Sequence, residues 1–123
     1  MKRLLPLLLI LTVTNFARSQ NKKIDSLIHI ADGYKKEDTT RFNLLGKISF
    51  DFWNNDVQDS AIIYSDSALS LAKKLNYIKG IGQAYNNLGL IYSQKDNYPE
   101  ALKNYLKALK IFEASRIRLI SAT

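Results

Sequence analysis

Apolar residues recur at three- and four-residue intervals along most of this chain, and short polar runs interrupt them. That spacing places apolar side chains on one stripe of an α-helix. From Lys22 to about Tyr34 the stripe holds Ile24, Leu27, Ile28 and Ala31, with His29 on the opposite, solvated side. Asp32-Gly33 and Lys35–Asp38 break the pattern, and Asp38, Thr39 or Thr40 is suited to cap the next helix. A second helix is predicted over Thr40–Trp53, then a loop over Asn54–Ser60. A third starts at Asp59 or Ser60 and reaches Leu75. Asn76–Ile81, with Gly80, reads as a connector or a frayed extension. A fourth helix follows over Gly82–Gln94, then a turn at Lys95-Asp96-Asn97. Pro99 suits the first turn of a fifth helix, where its missing N–H would be unpaired anyway; that helix is predicted to end near Ala114. The pattern is that of an all-α chain.

Tyr85–Leu102 therefore reads as a helix, a tight turn and the start of a second helix, lying antiparallel and burying facing stripes. Small residues at Gly89, Ala101 and Ala108 allow close approach. Tyr85, Leu88, Tyr92, Tyr105, Leu109 and Phe112 are expected to fill the space between, each worth roughly 1.5–3 kcal/mol if fully buried. The spacing of Tyr85, Leu88, Gly89 and Tyr92, followed by Ala101, Tyr105 and Ala108, resembles the tetratricopeptide repeat. Asn97–Leu102 is similar to that family's turn and second-helix start. Begun at Gly82, the unit ends at Ser115, with Glu113 where the family usually has proline.

A fainter copy lies 40 residues upstream, where Ala61 and Ala68 repeat the separation of Ala101 and Ala108. In this frame Leu45, Ile48, Ser49 and Phe52 stand for Tyr85, Leu88, Gly89 and Tyr92, and Ser67–Leu75 matches Lys107–Ser115. The step exceeds 34 residues by six, which Asn76–Ile81 supplies. Longer repeats of this kind resemble those of exported bacterial sensor proteins, where they precede a histidine kinase, cyclase or DNA-binding domain. The order here is similar: an export segment, Lys23–Leu27, Asp38–Leu45, then repeats. The resemblance implies a short right-handed solenoid of about two helix pairs behind a leading helix. Its parts are a signal peptide (1–19), leading helix and linker (20–41), degenerate unit with connector (42–81), clear unit (82–115) and atypical tail (116–123).

Such a solenoid buries its core between neighbours and protects its ends with polar caps. Arg116–Ser121 aligns with the connector but lacks its glycine and is more apolar. The expectation is a fragment, a truncated product or a solenoid completed by a partner, marginally stable or self-associating in isolation.

Charge changes this picture little. Lys2 and Arg3, the apolar run Leu4–Val13, and Ala17 and Ser19 before Gln20 form the pattern of a secretory signal peptide. The run is too short to span a bilayer core of about 30 Å, and no cysteine follows it for a lipid anchor. Cleavage there would lower the formal charge from +7 to +4. The remaining cations are interspersed with acids, so no nucleic-acid surface is expected. Contact with a membrane would come only through a missing C-terminal part.

No chemistry-bearing constellation emerges. Gly46-Lys47-Ile48-Ser49 lacks the first glycine and the hydroxyl directly after lysine that a phosphate loop needs. Asn54-Asn55-Asp56 and Asp59 lack the central glycine and terminal glutamate of a calcium loop, and both aspartates read as helix caps. The chain has no cysteine and one histidine. No catalysis, metal or small-molecule cofactor is expected. What the resemblance implies is a protein or peptide held in a concave groove by the first helix of each pair. By frame these groove residues are Asn43, Phe50, Trp53 and Asn54, then Gln83, Asn86, Asn87, Leu90, Ser93 and Gln94, with Lys47 the nearest cation. Two roles are open to them. The amides either bridge a peptide backbone or hydrogen-bond between repeats; Phe50 and Trp53 either meet a ligand or pack on the leading helix. The function implied is an exported, non-catalytic interaction scaffold, or the sensory front of a histidine kinase or transcriptional regulator. Tyr64 and Tyr77 are expected at inter-repeat contacts, and Lys95, Lys103, Lys107 and Lys110 on a solvated outer face.

Overall fold

The computed structural model describes residues 5–122, all helix and short turns. Five helices follow in order: α1 (Leu5–Gly33), α2 (Thr39–Asn54), α3 (Gln58–Lys74), α4 (Ile78–Gln94) and α5 (Tyr98–Ser121). Each packs on its neighbours in sequence, and among the described residues only α2 and α4 touch beyond neighbours. This is the contact pattern of a solenoid: α1 leads, and α2–α3 and α4–α5 form two stacked hairpins. The core between them gathers Phe42 and Leu45 of α2, Ala68, Leu71 and Ala72 of α3, and Ala84 of α4.

The 40-residue step is resolved into two equal halves by the turns. Asp56, Asn76 and Asp96 all have positive φ, at 59°, 52° and 59°. At each, two backbone bonds recur: Asp56 N–H to Trp53 O and Val57 N–H to Phe52 O, Asn76 to Lys73 and Tyr77 to Ala72, Asp96 to Ser93 and Asn97 to Tyr92. This is one helix-ending Schellman motif used three times, with Asp or Asn tolerated at the left-handed position. The six-residue excess is thus not a connector. Only Asn76 and Tyr77 lie outside the helices, and Ile78–Ile81 forms the opening turn of α4. Gly80 is buried there: a Cβ on it would press on the Tyr77 ring and stand 3.1 Å from Phe42 Cζ. Asp56 ends α2 instead of capping α3, and Asp59 lies in the first turn of α3 paired with Lys95 at 2.6 Å.

Other boundaries also move. α1 begins by Leu5, well before Lys22, because the leucine-rich run that precedes it favours helix. α3 starts at Gln58, which shortens the expected seven-residue loop to Asn55–Val57. α5 runs on to Ser121, since Arg116–Ser121 holds neither glycine nor proline to stop it. Within the second hairpin Leu88 is 3% exposed, and Ala101 and Ala108 are buried. Tyr105 lies across Gly89 and Phe112 across Gly82. Leu109, expected between α4 and α5, is instead 51% exposed. Tyr85 is half-buried beneath the ammonium groups of Lys73 and Lys107, 5.4 and 5.2 Å from its ring centre. Lys107 and Lys95 therefore do more than face solvent. Tyr77 meets Phe42 edge-on at 5.2 Å across the units, whereas Tyr64 stacks on Phe52 inside the first unit.

In the first hairpin Ser49 replaces the glycine of the second, and its buried hydroxyl donates to Ala61 O at 2.7 Å. Bulk is also exchanged between the units: Phe42 with Ala72 in one, Gly82 with Phe112 in the other. At the α1–α2 junction, Asp38 accepts from Arg41 N–H at 3.1 Å and from the Tyr34 hydroxyl at 2.7 Å. The Arg41 guanidinium donates to the carbonyls of Ala31 and Tyr34, closing the end of α1. The Tyr34 bond, then the Arg41 amide, holds the Asp38 carboxyl below the usual carboxylate range. A folded pKa below the unfolded value means stability that is present above the unfolded pKa of about 3.9 and lost as pH falls through the folded one. Thermal melts from neutral to strongly acidic pH are expected to show that loss. Asp38→Asn, which keeps an acceptor but no charge, should have a shallower acid limb; an unchanged limb would remove Asp38 from this role.

Candidate functional site

α2 and α4 lie side by side, and their shared outer surface carries two adjoining depressions. One, about 290 Å³, is bordered by Asn43 and Gly46 of α2 and by Gln83, Asn86 and Asn87 of α4, with Phe42 and Phe112 in its wall. The other, about 150 Å³, lies between Ser49, Phe50 and Trp53 of α2 and Asn87, Leu90 and Ile91 of α4. Asn87 borders both, so the two form one groove, amide-rich at one end and apolar at the other. The 3.6-residue period explains the division: Asn43, Gly46 and Phe50 share one face of α2, and Gln83, Asn86, Asn87 and Leu90 share one face of α4.

The structure thus brings together seven of the residues expected in the groove: Asn43, Phe50, Trp53, Gln83, Asn86, Asn87 and Leu90. Ser93 lines neither depression, and neither does Lys47. Asn54 is exposed at the end of α2. Gln94 serves between the units, its amide donating to Asp56 Oδ1 at 2.8 Å. The other amides do not hydrogen-bond between repeats: among the described residues, none bonds to the side chains of Asn43, Gln83, Asn86 or Asn87. Their donors and acceptors are available to a ligand.

Phe50 and Trp53 both border the apolar recess. Their rings lie against each other, with centres 5.5 Å apart and planes tilted by 39°, and both face Leu90 and Ile91 across the groove. Phe50 is 57% exposed. The Trp53 indole N–H is buried without an acceptor, as is Asp51 Oδ2, whose partner oxygen pairs with Lys23 at 3.4 Å. Sequence reasoning missed Gly46, Ser49, Ile91 and Phe112 as groove residues. Gly46 had a signal that could have been used, since a glycine inside a helix away from any helix contact leaves room on the surface.

Burial, then the carboxylates of Asp66 and Glu100, pushes the Tyr92 hydroxyl pKa up. Desolvation raises the Asp66 carboxyl. Neither group lines the groove. Among the described residues no three His, Asp or Glu side chains come together as a metal site would need. The groove offers hydrogen-bonding amides and an apolar recess, which together can hold an extended chain by its backbone and one side chain.

Compared with known families, residues 82–114 match the model of the tetratricopeptide repeat. No curated protein and no solved structure matches the chain.

Proposed function

Given that this chain carries a tetratricopeptide repeat over residues 82–114, we propose that it is a non-catalytic scaffold holding an extended peptide in the α2–α4 groove. The observation that carries this reading is the set of four carboxamides, Asn43, Gln83, Asn86 and Asn87, without protein partners beside an apolar recess. Amides at a groove floor bridge to the N–H and C=O of an extended backbone, as a sheet edge does in strand addition. The recess between Phe50, Trp53 and Leu90 would take an apolar side chain of the same peptide. With Lys47 outside the groove, the ligand is selected by shape and backbone bonding more than by charge.

The test is selection of peptides from a random displayed library on the full chain, followed by anisotropy measurements with the selected sequence. Asn86→Ala and Asn87→Ala should each weaken binding about two- to tenfold, the range of one hydrogen bond worth 0.5–1.5 kcal/mol, with helical content unchanged. Selected peptides without a shared apolar position, or binding indifferent to both variants, would count against the groove.

Export is part of the same proposal. Leu7–Leu11, Val13 and Phe16 are all more than half exposed on α1, which suits a segment that the folded unit does not require. Among the described residues no helix is long and apolar enough to cross a membrane. N-terminal sequencing of the mature product should begin at Gln20.

A further inference from the structure

Leu102, Leu106 and Leu109 follow one another along α5 at four- and three-residue steps and are 59%, 48% and 51% exposed. Leu102 and Leu106, with Pro99, Lys103, Lys107 and Lys110, border a shallow depression of about 390 Å³. The internal repeat says what this face is for. By the 40-residue step, Leu102, Leu106 and Leu109 correspond to Ile62, Asp66 and Leu69 of α3. α4 covers part of that side of α3: Leu69 and Ile81 pack on the cluster that holds Ala68, Ala72 and Ala84, while Asp66 stays exposed. α5 presents the same register with Leu106 in place of Asp66, so the stripe is apolar throughout, and no helix lies over it among the described residues.

We propose that this face of α5 docks an amphipathic helix of another protein, with a small and apolar contact stripe and acidic residues along one flank. The stripe is inferred from α4, which meets α3 through Ile81 and Ala84. The acidic flank is inferred from charge. α5 carries Lys103, Lys107, Lys110, Arg116 and Arg118 against Glu100 and Glu113, and the three lysines lie along one border of the leucine stripe. Pairing two copies through this face would set those lysines against their own counterparts, and like charges in contact select against such a partner.

The experiment uses the full chain and a labelled synthetic helix of 17 residues, the length of α4, with an Ala/Leu stripe and glutamates elsewhere. A matched peptide carries lysines in place of the glutamates. The glutamate peptide should bind roughly tenfold or more tightly than the lysine peptide. Leu106→Asp should abolish binding with helical content unchanged, and the double variant Lys103→Glu, Lys110→Glu should reverse the preference. Asn86→Ala, in the groove, should leave it unaltered. Equal binding of both peptides, binding of neither, or indifference to Leu106→Asp would overturn the proposal. So would a dimer that Leu106→Asp converts to monomer, which would assign the face to a second copy.

Discussion

Replacing Gly89 with leucine is expected to abolish cooperative folding of the α4–α5 hairpin, while Asn86→Ala, one helical turn earlier, leaves it intact. A Cβ at Gly89 would stand 2.6 Å from Cδ1 and Cε1 of Tyr105 and 2.9 Å from its Cγ. Contact with Cγ decides the outcome, because the ring cannot swing away about its own axis without displacing its root on α5. Overpacking of this kind costs about 1–3 kcal/mol for small insertions, and leucine adds three further carbons where no space exists. Gly89→Ala isolates the first part of the effect. Alanine is favoured over glycine in a helix by about 1 kcal/mol, so a net loss requires the clash to outweigh that gain. Gly46→Ala is the matched control: its Cβ would meet nothing within 4 Å, and it should stabilise by about 0.5–1 kcal/mol. Urea unfolding followed by circular dichroism gives both values. Equal stabilisation by the two alanines would show that α4 and α5 are not in close contact at Gly89.

Phe42→Ala is expected to cost about 3–5 kcal/mol, the range for removing a buried phenylalanine, and to uncouple the two hairpins. Phe42 is 6% exposed and meets Tyr77 edge-on across the units. It belongs to the cluster that joins α2, α3 and α4. A small domain has a total stability of only about 5–15 kcal/mol, so this one side chain accounts for a large share. Trp53 is the one tryptophan and lies in the first hairpin. Its fluorescence should therefore report unfolding of that hairpin at lower urea than dichroism reports for the whole chain. Coincident transitions with a shift under about 1 kcal/mol would place the inter-unit coupling elsewhere.

Helix pairs were legible because small and large residues alternate at helical spacing around Gly89, Ala101 and Ala108, and helix packing requires just that. Most groove residues were legible for the same reason, since a frame on the buried stripe also names the stripe beside it. Ser93 and Gln94 were not: both lie in the last turn of α4, where Ser93 O accepts from Asp96 N–H and the Gln94 side chain bonds to Asp56 of the first unit. The left-handed turns were hidden as well. Asp and Asn populate that conformation only when the chain on both sides demands it, and polar residues between helices read equally well as caps.

By itself the sequence determined that the chain is helical, that it repeats at 40 residues, and that Leu88, Ala101 and Ala108 lie inward. These follow from local periodicity and residue size, which act within a few turns of chain. Only the tertiary structure decided that Gly80 belongs to a helix, that Ser49 stands in for a glycine by bonding to Ala61, that Phe42 and Phe112 exchange places with small residues, and that Leu109 faces outward. Each of those depends on which atoms of a distant segment occupy the space beside a side chain, and that occupancy exists only once the helices have stacked.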